Sequence, residues 1–203
     1  AFQQGLAWRY AKLMDACGKR EHIFDRVFNF GPLLMDGRVL PPVIRWAGRG
    51  VSLGGNGEAR SVEASYRIVR PAAIVTRAPT WRDYLMTGVP ETENRPAILP
   101  ATQAEKKAWK RGVTEGWAAG AAAADELFSV NMNRLVADYR GILRFRMLAR
   151  RGMVSLPVLA EGRLAVRVEK RTLDVGETTF RISVPAEFRD MENWSAGTDG
   201  REE

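Results

Sequence analysis

The chain's only thiol and only imidazole, Cys17 and His22, are the first residues whose types could support chemistry. A cysteine beside a histidine can act as a nucleophile with its base, but a separation of five residues places the two side chains on different faces of a helix. A single cysteine also excludes an intrachain disulfide and a cysteine-based metal cluster. We therefore expect ordinary packing or surface roles for both residues, and neither a metal nor a cofactor.

Other patterns that carry catalysis are weak or missing from the sequence. Asp125 and Glu126 are adjacent, so their side chains point to different sides of a helix, and nothing indicates a hydrolytic pair of carboxylates. The glycine-rich stretch "LGGNGEAR" at 53–60 lacks the strand–GxxxxGK–helix context of a phosphate-binding loop. There is no nucleophile elbow either. The sequence predicts no catalytic residue, and the chain is not expected to be an enzyme.

Basic and aromatic residues alternate where the segment "KKAWKRGVTEGWAAGAAAADELF", residues 106–128, begins. Trp109 and Trp117 lie two helical turns apart, close in sequence to Lys106, Lys110 and Arg111. Such a pattern could stack on and hold single-stranded nucleic acid. We favour core tryptophans with a solvated basic rim, because both fall on the apolar stripe of the predicted helix.

The same segment carries small residues at every fourth position, Gly112, Gly116, Gly120 and Ala124. They form one narrow ridge of a helix, and each glycine costs up to about 1 kcal/mol relative to alanine in a helix interior. That cost is recovered if another backbone approaches closely. The ridge therefore predicts a docking groove, either for another element of this chain or for a partner. The sequence alone does not identify which helix or strand occupies it.

A second basic stretch, "YRGILRFRMLARR" at 139–151, resembles an amphipathic helix with a cationic outer face. Its arginines are Arg140, Arg144, Arg146, Arg150 and Arg151. An acidic partner or an anionic surface would suit such a face, and so would plain solvation.

Composition agrees with one globular domain. The chain has 203 residues, 45% of them hydrophobic and 27% charged, with a net charge of +7. This length is sufficient for a hydrophobic core. The positive charge favours acidic partners such as nucleic acid, an anionic surface or an acidic protein, without choosing among them.

The elements that position these residues are predicted from periodicity and capping. Residues 1–28 form an amphipathic helix that Gly18 interrupts, residues 61–76 form a strand, and a short helix follows Thr80. A long helix starts at the capping box "TQAE", 102–105, and ends at Gly152. We expect it to kink or break near Gly141 or residues 131–133, because a single helix of this extent would be on the order of 70 Å long.

The remainder predicts a hairpin and irregular segments. Residues 163–173 and 178–188 alternate around "DVGE", which indicates a turn there. We expect glycine- and proline-rich loops at 47–60 and 87–100, and a disordered polar tail over 191–203. The predicted fold class is α+β: one domain over 1–190 with a small, mainly antiparallel sheet packed against the long helix and the N-terminal helix.

An ordered set of motifs resembles the DotC family of type IVB (Dot/Icm-type) secretion systems, called TraI in the related conjugative plasmid machines. The motifs are "FDRVFNFGPLL" at 24–34, "PPVI" at 41–44, "YRIVRPAAIVTRAPTWRDYLM" at 66–86, "LPATQAEKKAWKRGVTEGWAAGAAAADELFSVNMNRLVADYRGILRFRMLARRGMVS" at 99–155 and "TTFRISVPAEF" at 178–188. Together they cover most of residues 6–188, and their order makes the resemblance specific.

The resemblance implies a lipoprotein on the periplasmic side of the outer membrane, with a structural role and no chemistry of its own. It implies that the chain acts together with a DotD-like lipoprotein and a DotH-like subunit in the outer-membrane core complex. It also implies that the chain helps to bring the DotH-like subunit to the outer membrane. A multi-copy ring and the absence of a small-molecule substrate follow from the same resemblance.

One departure concerns the lipid anchor, because the family's lipid-bearing cysteine is missing here. Cys17 lies inside the helical pattern, so the anchor is expected upstream of Ala1. Two other functions remain open at this point: a basic nucleic-acid-binding protein, and a cell-wall module or enzyme. Phosphate-driven binding would weaken steeply as salt rises, whereas a packed protein interface would not.

Overall fold

A computed structural model of the chain describes residues 1–53, 59–86, 88, 100–169 and 172–194. Its helices are α1 (Phe2–Gly18), α2 (Glu21–Val27), α3 (Trp81–Leu85) and α4 (Gln103–Arg150). Its strands are β1 (Val39–Leu40), β2 (Val43–Leu53), β3 (Ala59–Arg70), β4 (Ala73–Ile74), β5 (Val158–Glu169) and β6 (Thr172–Val184). The α+β class predicted from the sequence is confirmed.

The chain divides into two compact units. A helical unit comprises Ala1–Asn29 and Pro79–Val136, and a sheet unit comprises Phe30–Ala78 and the chain from Ala137 onward. Helix α4 contributes its first part to the helical unit and its last part to the sheet unit. The single domain expected over 1–190 stays a prediction. The disordered tail expected over 191–203 also stays a prediction, since Met191–Asn193 forms a 3₁₀ turn and residues 195–203 lie outside the described residues.

In the helical unit, α1 packs on α4 through the buried side chains of Leu6, Tyr10 and Ala124. Helix α3 packs against α2, where the Phe24 ring lies 4.9 Å from the Trp81 ring and the Trp81 indole donates to Asp25 at 2.8 Å. The predicted cap of α3 is confirmed, since the Thr80 amide donates to the Asp83 carboxylate at 2.8 Å. Local capping thus starts α3 where the sequence indicates.

Among the described residues, the antiparallel strands of the sheet unit form three pairs, β1–β4, β2–β3 and β5–β6, where the sequence pattern did not show how the strands divide. Its core joins Ile44 of β2 to Phe145 and Leu148 of α4, with Val154 and Ala186 beside them. The strand predicted over 61–76 corresponds to β3 and β4, with Pro71 just after β3 because proline cannot donate to a ladder. The β2–β3 pair thus packs its apolar residues against α4.

Two turn predictions are corrected by the strand register. Glu169 pairs with Thr172 and Arg167 with Asp174, so the "DVGE" stretch lies inside β6, and its assignment as the turn is wrong. The strand register runs through this stretch without a shift, which a turn would have broken. The loop expected over 47–60 is also wrong in part, because residues 47–53 and 59–60 are strand. Residues 54–58, 87 and 89–99 lie outside the described residues.

Helix α4 is continuous over 48 residues, so a break near Gly141 or residues 131–133 is wrong. Each supposed breaker serves packing instead. Gly141 is buried, and a Cβ there would lie 3.1 Å from the Ile44 carbonyl oxygen of β2. Asn131 turns its side chain away from the helix backbone and donates to the Tyr10 hydroxyl at 3.0 Å. The predicted cap at Thr102 is confirmed, with the Glu105 amide donating to the Thr102 hydroxyl at 3.2 Å.

Gly152 ends α4 as predicted. Its φ of +71° is left-handed, and the Met153 amide donates to the Leu148 carbonyl at 3.0 Å, which closes a Schellman-type cap. A Cβ at this position would also press into the carbonyl of Asn193. Glycine therefore meets two requirements here, the backbone conformation and the space.

An alanine in the left-handed conformation costs about 1–2 kcal/mol. We expect Gly152→Ala to lower the free energy of unfolding by more than this, because the Asn193 segment must also move. Gly37→Ala is the matched control: its φ is +69°, and no described atom lies within 4 Å of its Cβ position. Urea unfolding of both variants measures the difference. Equal losses would show that the Asn193 contact adds nothing.

Candidate interaction surfaces

The glycine ridge of α4 receives the chain's own N-terminal helix. A Cβ at Gly120 would lie 2.9 Å from the Leu6 amide nitrogen, and one at Gly116 would lie 3.4 Å from the Ala1 Cβ. The contact is reciprocal, because a Cβ at Gly5 of α1 would lie 2.5 Å from the Trp117 carbonyl oxygen. Ala124 is fully buried at the lower end of the same ridge. The two helix backbones thus approach each other where side chains are missing.

The upstream end of the ridge is open. No described atom lies within 4 Å of the Cβ position of Gly112. Trp109 and Trp117 are 47% and 38% exposed, so the interpretation that both are core tryptophans is wrong. Trp117 contacts the Trp8 ring at 5.7 Å, at the edge of the α1–α4 contact. The sequence placed these residues on an apolar stripe but could not show where α1 stops covering it.

A buried polar contact ties α1, α3 and α4 together. The Tyr10 hydroxyl donates to the Leu85 carbonyl and accepts a hydrogen bond of 3.0 Å from the Asn131 side chain. Burial raises the pKa of Tyr10 above its usual value, an effect that the Asn131 hydrogen bond partly opposes. Sequence analysis missed this set, although an asparagine at a core-facing position of α4 is a signal that it needs a partner.

The arginines of the predicted cationic face differ in exposure. Arg140 and Arg150 are exposed. Arg144 donates to the Ile44 carbonyl at 3.2 Å and Arg146 to the Pro32 carbonyl at 2.9 Å, both within the sheet unit. Arg151 is half-buried. Arg144 and Arg146 are half-buried and donate to backbone carbonyls, so these two guanidinium groups also contribute to internal packing, and a role of the face in binding stays a prediction.

A buried carboxylate in the sheet unit also escaped the sequence analysis. Asp138 is 1% exposed, and its carboxylate lies 2.8 Å from the guanidinium of Arg70, whose side chain is 37% exposed. Neither Asp138 oxygen accepts a well-aligned hydrogen bond from a described residue, so the ion pair alone compensates the charge. Removing Arg70 would leave a buried unpaired charge. The pair therefore has a structural role in the sheet unit.

The β5–β6 ribbon presents apolar side chains to solvent. Leu164 is 51% exposed and Val175 72% exposed. They share one face of the ribbon, because Val175 pairs with Val166, two residues beyond Leu164. At the ribbon's base, the Arg38 guanidinium lies 4.1 Å from the Phe180 ring. The alternation in "GRLAVRVEKRTLDV" is a signal that could have indicated this apolar face.

The residues first considered for chemistry do not assemble into a site. Cys17 is buried and His22 is exposed. Burial raises the pKa of the Cys17 thiol, which disfavours its thiolate. Within the described ranges, no group of three or more histidine, cysteine, aspartate or glutamate residues could hold a metal ion. No helix in those ranges is long and apolar enough to cross a membrane.

A comparison with protein families gives a match that covers most of the chain. Residues 1–196 match the TraI family of the type IV secretory system, described as acting in conjugal DNA–protein transfer. Among curated proteins, none matches the chain.

The ridge predicts opposite effects of one substitution at two of its positions. Gly120→Ala should lower the free energy of unfolding by about 1–3 kcal/mol, because its Cβ meets the α1 backbone. Gly112→Ala should raise it by up to about 1 kcal/mol, since alanine favours an open helix position. Thermal melts followed by tryptophan fluorescence would measure both. A neutral Gly120→Ala would contradict the close packing of α1.

The buried hydroxyl predicts a pH-dependent stability. Because the folded pKa of Tyr10 is raised, its contribution is fully present below the ordinary tyrosine pKa of about 10 and is lost as pH rises through the folded value. Tyr10→Phe should cost about 1–3 kcal/mol near neutral pH by leaving its partners unpaired. It should also abolish the last step of an ultraviolet tyrosine titration. A late step that survives in Tyr10→Phe belongs to another tyrosine and would refute this assignment.

Proposed function

This chain belongs to the TraI family of type IV secretory system proteins, and from that premise we propose that it is a structural subunit of the outer-membrane core complex. The observation that carries the proposal is the β5–β6 ribbon, whose apolar face is open to solvent. The family is one of secretion-system components, so a role in assembly is a natural use of such a face. We infer a scaffold without catalytic activity.

The ribbon's physical chemistry supports a role in assembly. Its strands of 12 and 13 residues make an arm on the order of 40 Å long. Among the described residues, no third strand pairs with either β5 or β6. A two-stranded ribbon in water is marginally stable, and it gains stability when a third strand or an apolar surface covers it. A neighbouring subunit would supply that cover.

The β2–β3 pair offers a second surface of the same kind. Trp46 is half-exposed and pairs with the half-buried Tyr66, next to the pair of the buried Ile44 with the half-buried Ile68. A large exposed aromatic that adjoins a core cluster is typical of interface anchors. The sheet unit would therefore contact neighbours through both ribbons, in keeping with a subunit that has several partners.

We infer that the partners are a DotD-like lipoprotein and a DotH-like subunit, and that the chain works at the periplasmic side of the outer membrane in a multi-copy ring. A lipid anchor upstream of Ala1 would hold it there. The net charge of +7 would steer association with acidic partner surfaces without fixing affinity. The chain would help the DotH-like subunit to reach the outer membrane.

The test compares two faces of the β5–β6 ribbon. Leu164→Glu with Val175→Glu places two charges on the apolar face. Ala165→Glu with Thr178→Glu places two on the opposite face, where both residues are exposed. We expect the first pair to reduce co-purification of the DotD-like and DotH-like subunits at least tenfold, and the control pair to change it little. Both variants should melt like the wild type, since surface substitutions usually cost under about 0.5 kcal/mol.

A deletion strain provides the second arm of the test. The DotH-like subunit should fail to reach the outer membrane when this gene is removed. If that subunit is localised normally and no envelope protein co-purifies with the wild-type chain, the scaffold proposal is wrong. If the wild type co-purifies but both double variants do as well, the scaffold remains and the ribbon is not its contact surface.

A further inference from the structure

Strand β5 presents a free edge to solvent. Among the described residues it pairs with β6 alone, so no strand there bonds the N–H and C=O groups along its other edge. Every residue from 161 to 165 is exposed. Such an edge is a template for a further strand, and proteins usually block it with lysine, proline or a covering element. Residues 158–169 contain neither lysine nor proline.

The segment at this edge is complementary to itself. It reads "LAEGRLA" over 159–165, with Gly162 at its centre. Two copies of the segment can run antiparallel with Gly162 opposite Gly162, which brings residues of unlike charge or of apolar character opposite each other. The opposed pairs are Glu161 with Arg163, Ala160 with Leu164, and Leu159 with Ala165.

Neighbouring registers lose this match. A shift by one residue would set Leu164 opposite Glu161, because the two faces of the strand exchange. A shift that moves the centre to Glu161 or to Arg163 keeps the faces but sets a residue opposite its own charge, which is destabilising. The register centred on Gly162 therefore satisfies both the charges and the apolar side chains.

The charged pair of this segment is already formed within one chain. The Arg163 guanidinium lies 2.7 Å from the Glu161 carboxylate, and the two side chains are 80% and 41% exposed. When two such pairs meet across a two-fold axis, opposite charges lie directly across, about 5 Å apart at Cβ, and like charges lie on the diagonal, about 7–8 Å apart. The second copy thus adds attraction without breaking the pair inside either chain.

We propose that β5 pairs edge to edge with β5 of a second copy of this chain, antiparallel and centred on Gly162. The two ribbons then form one four-stranded sheet, which is more stable than a two-stranded ribbon in water. A two-fold contact closes on itself, so it joins copies in pairs, and a multi-copy assembly would be built from such pairs.

A second copy is the occupant because the match is to the strand's own sequence. The inference deepens the proposed function and rests on it, since it names the surface through which one copy meets another. Edge pairing uses backbone groups at the side of β5. It therefore leaves the apolar face of the ribbon, with Leu164 and Val175, available to other subunits.

The experiment exchanges charges in the purified full-length chain and follows self-association by analytical ultracentrifugation. Glu161→Arg alone and Arg163→Glu alone each set like charges across the axis, so each should weaken self-association at least about fivefold. An equimolar mixture of the two variants sets opposite charges across the axis again. It should form mixed pairs within about threefold of the wild-type affinity.

The mixture separates a contact between copies from a local role, because it does not restore the charged pair inside either chain. The double variant Glu161→Arg with Arg163→Glu has the wild-type net charge and should self-associate like the wild type. Arg181→Glu is the matched control: it makes the same change in net charge as Arg163→Glu on β6, where the residue is exposed. It should leave the affinity within about threefold.

Cysteine pairing checks the register in cells that contain the whole secretion machine. One tagged copy carries Glu161→Cys and a differently tagged copy carries Arg163→Cys, both in a Cys17→Ala background. Mild oxidation should join them, because directly opposed positions bring the two Cβ atoms within disulfide reach. Glu161→Cys with Ala165→Cys places the thiols on a diagonal and should give much less of the mixed disulfide.

Several outcomes would overturn the proposal: a wild type that is monomeric at every concentration, mixed single variants that associate no better than each alone, or equal yields from the two cysteine combinations. Capture of the cysteine at position 161 by another envelope protein instead of a second copy would also overturn it. Localisation of the DotH-like subunit in the deletion strain tests the scaffold proposal separately. The scaffold proposal can therefore stand where edge pairing fails, and copies can pair where that subunit is localised normally.

Discussion

The packing of both units depends on glycines along helix α4, because positions without a side chain let other backbones come close. In the helical unit, Gly120 lets the backbone of α1 come against the helix, and Gly5 of α1 makes the matching allowance for the Trp117 carbonyl. In the sheet unit, Gly141 makes room for Val43 and Ile44 of β2. A glycine inside a helix is unfavourable by up to about 1 kcal/mol relative to alanine, so each such position is stable only because another backbone contacts it. The stability of α4 therefore depends more on its contacts with other elements than on its own helix propensity.

Buried polar groups make each unit's packing specific. The Tyr10 hydroxyl, the Asn131 amide and the Leu85 carbonyl fix the position of α1 in the helical unit, since any shift would leave these groups unpaired. In the sheet unit, Asp138 is compensated by Arg70 from the end of β3. Apolar contacts tolerate small displacements, whereas buried hydrogen bonds and ion pairs do not. These residues therefore hold the surfaces that would face partners in defined places.

What these units leave uncovered agrees with a component of a secretion machine. The β5–β6 ribbon has an apolar face, the β2–β3 pair exposes Trp46, and the first turns of α4 expose Trp109. A subunit that is stable because of its two cores, and that offers extended or aromatic surfaces beside them, suits assembly with neighbours better than it suits turnover of a small molecule.

The sequence by itself determined the local structure. Caps at Thr80 and Thr102, the stop at Gly152, the α+β class and the small-residue ridge all follow from interactions within a few residues, so a linear pattern contains them. The motif order also indicated the family that residues 1–196 match. The turn of the β5–β6 hairpin was misplaced, because register depends on which residues two strands bring opposite each other.

Only the tertiary structure decided how each surface is used. Gly116 and Gly120 contact α1 while Gly112 does not, although the three glycines follow one another at the same spacing. Arg144 and Arg146 donate to backbone carbonyls while Arg140 is exposed, although all three are arginines of one helical segment. The pairing of Asn131 with Tyr10 spans 121 residues. Burial and long-range pairing depend on which other elements arrive at a given face. That is a property of the folded chain, and no short window of sequence contains it.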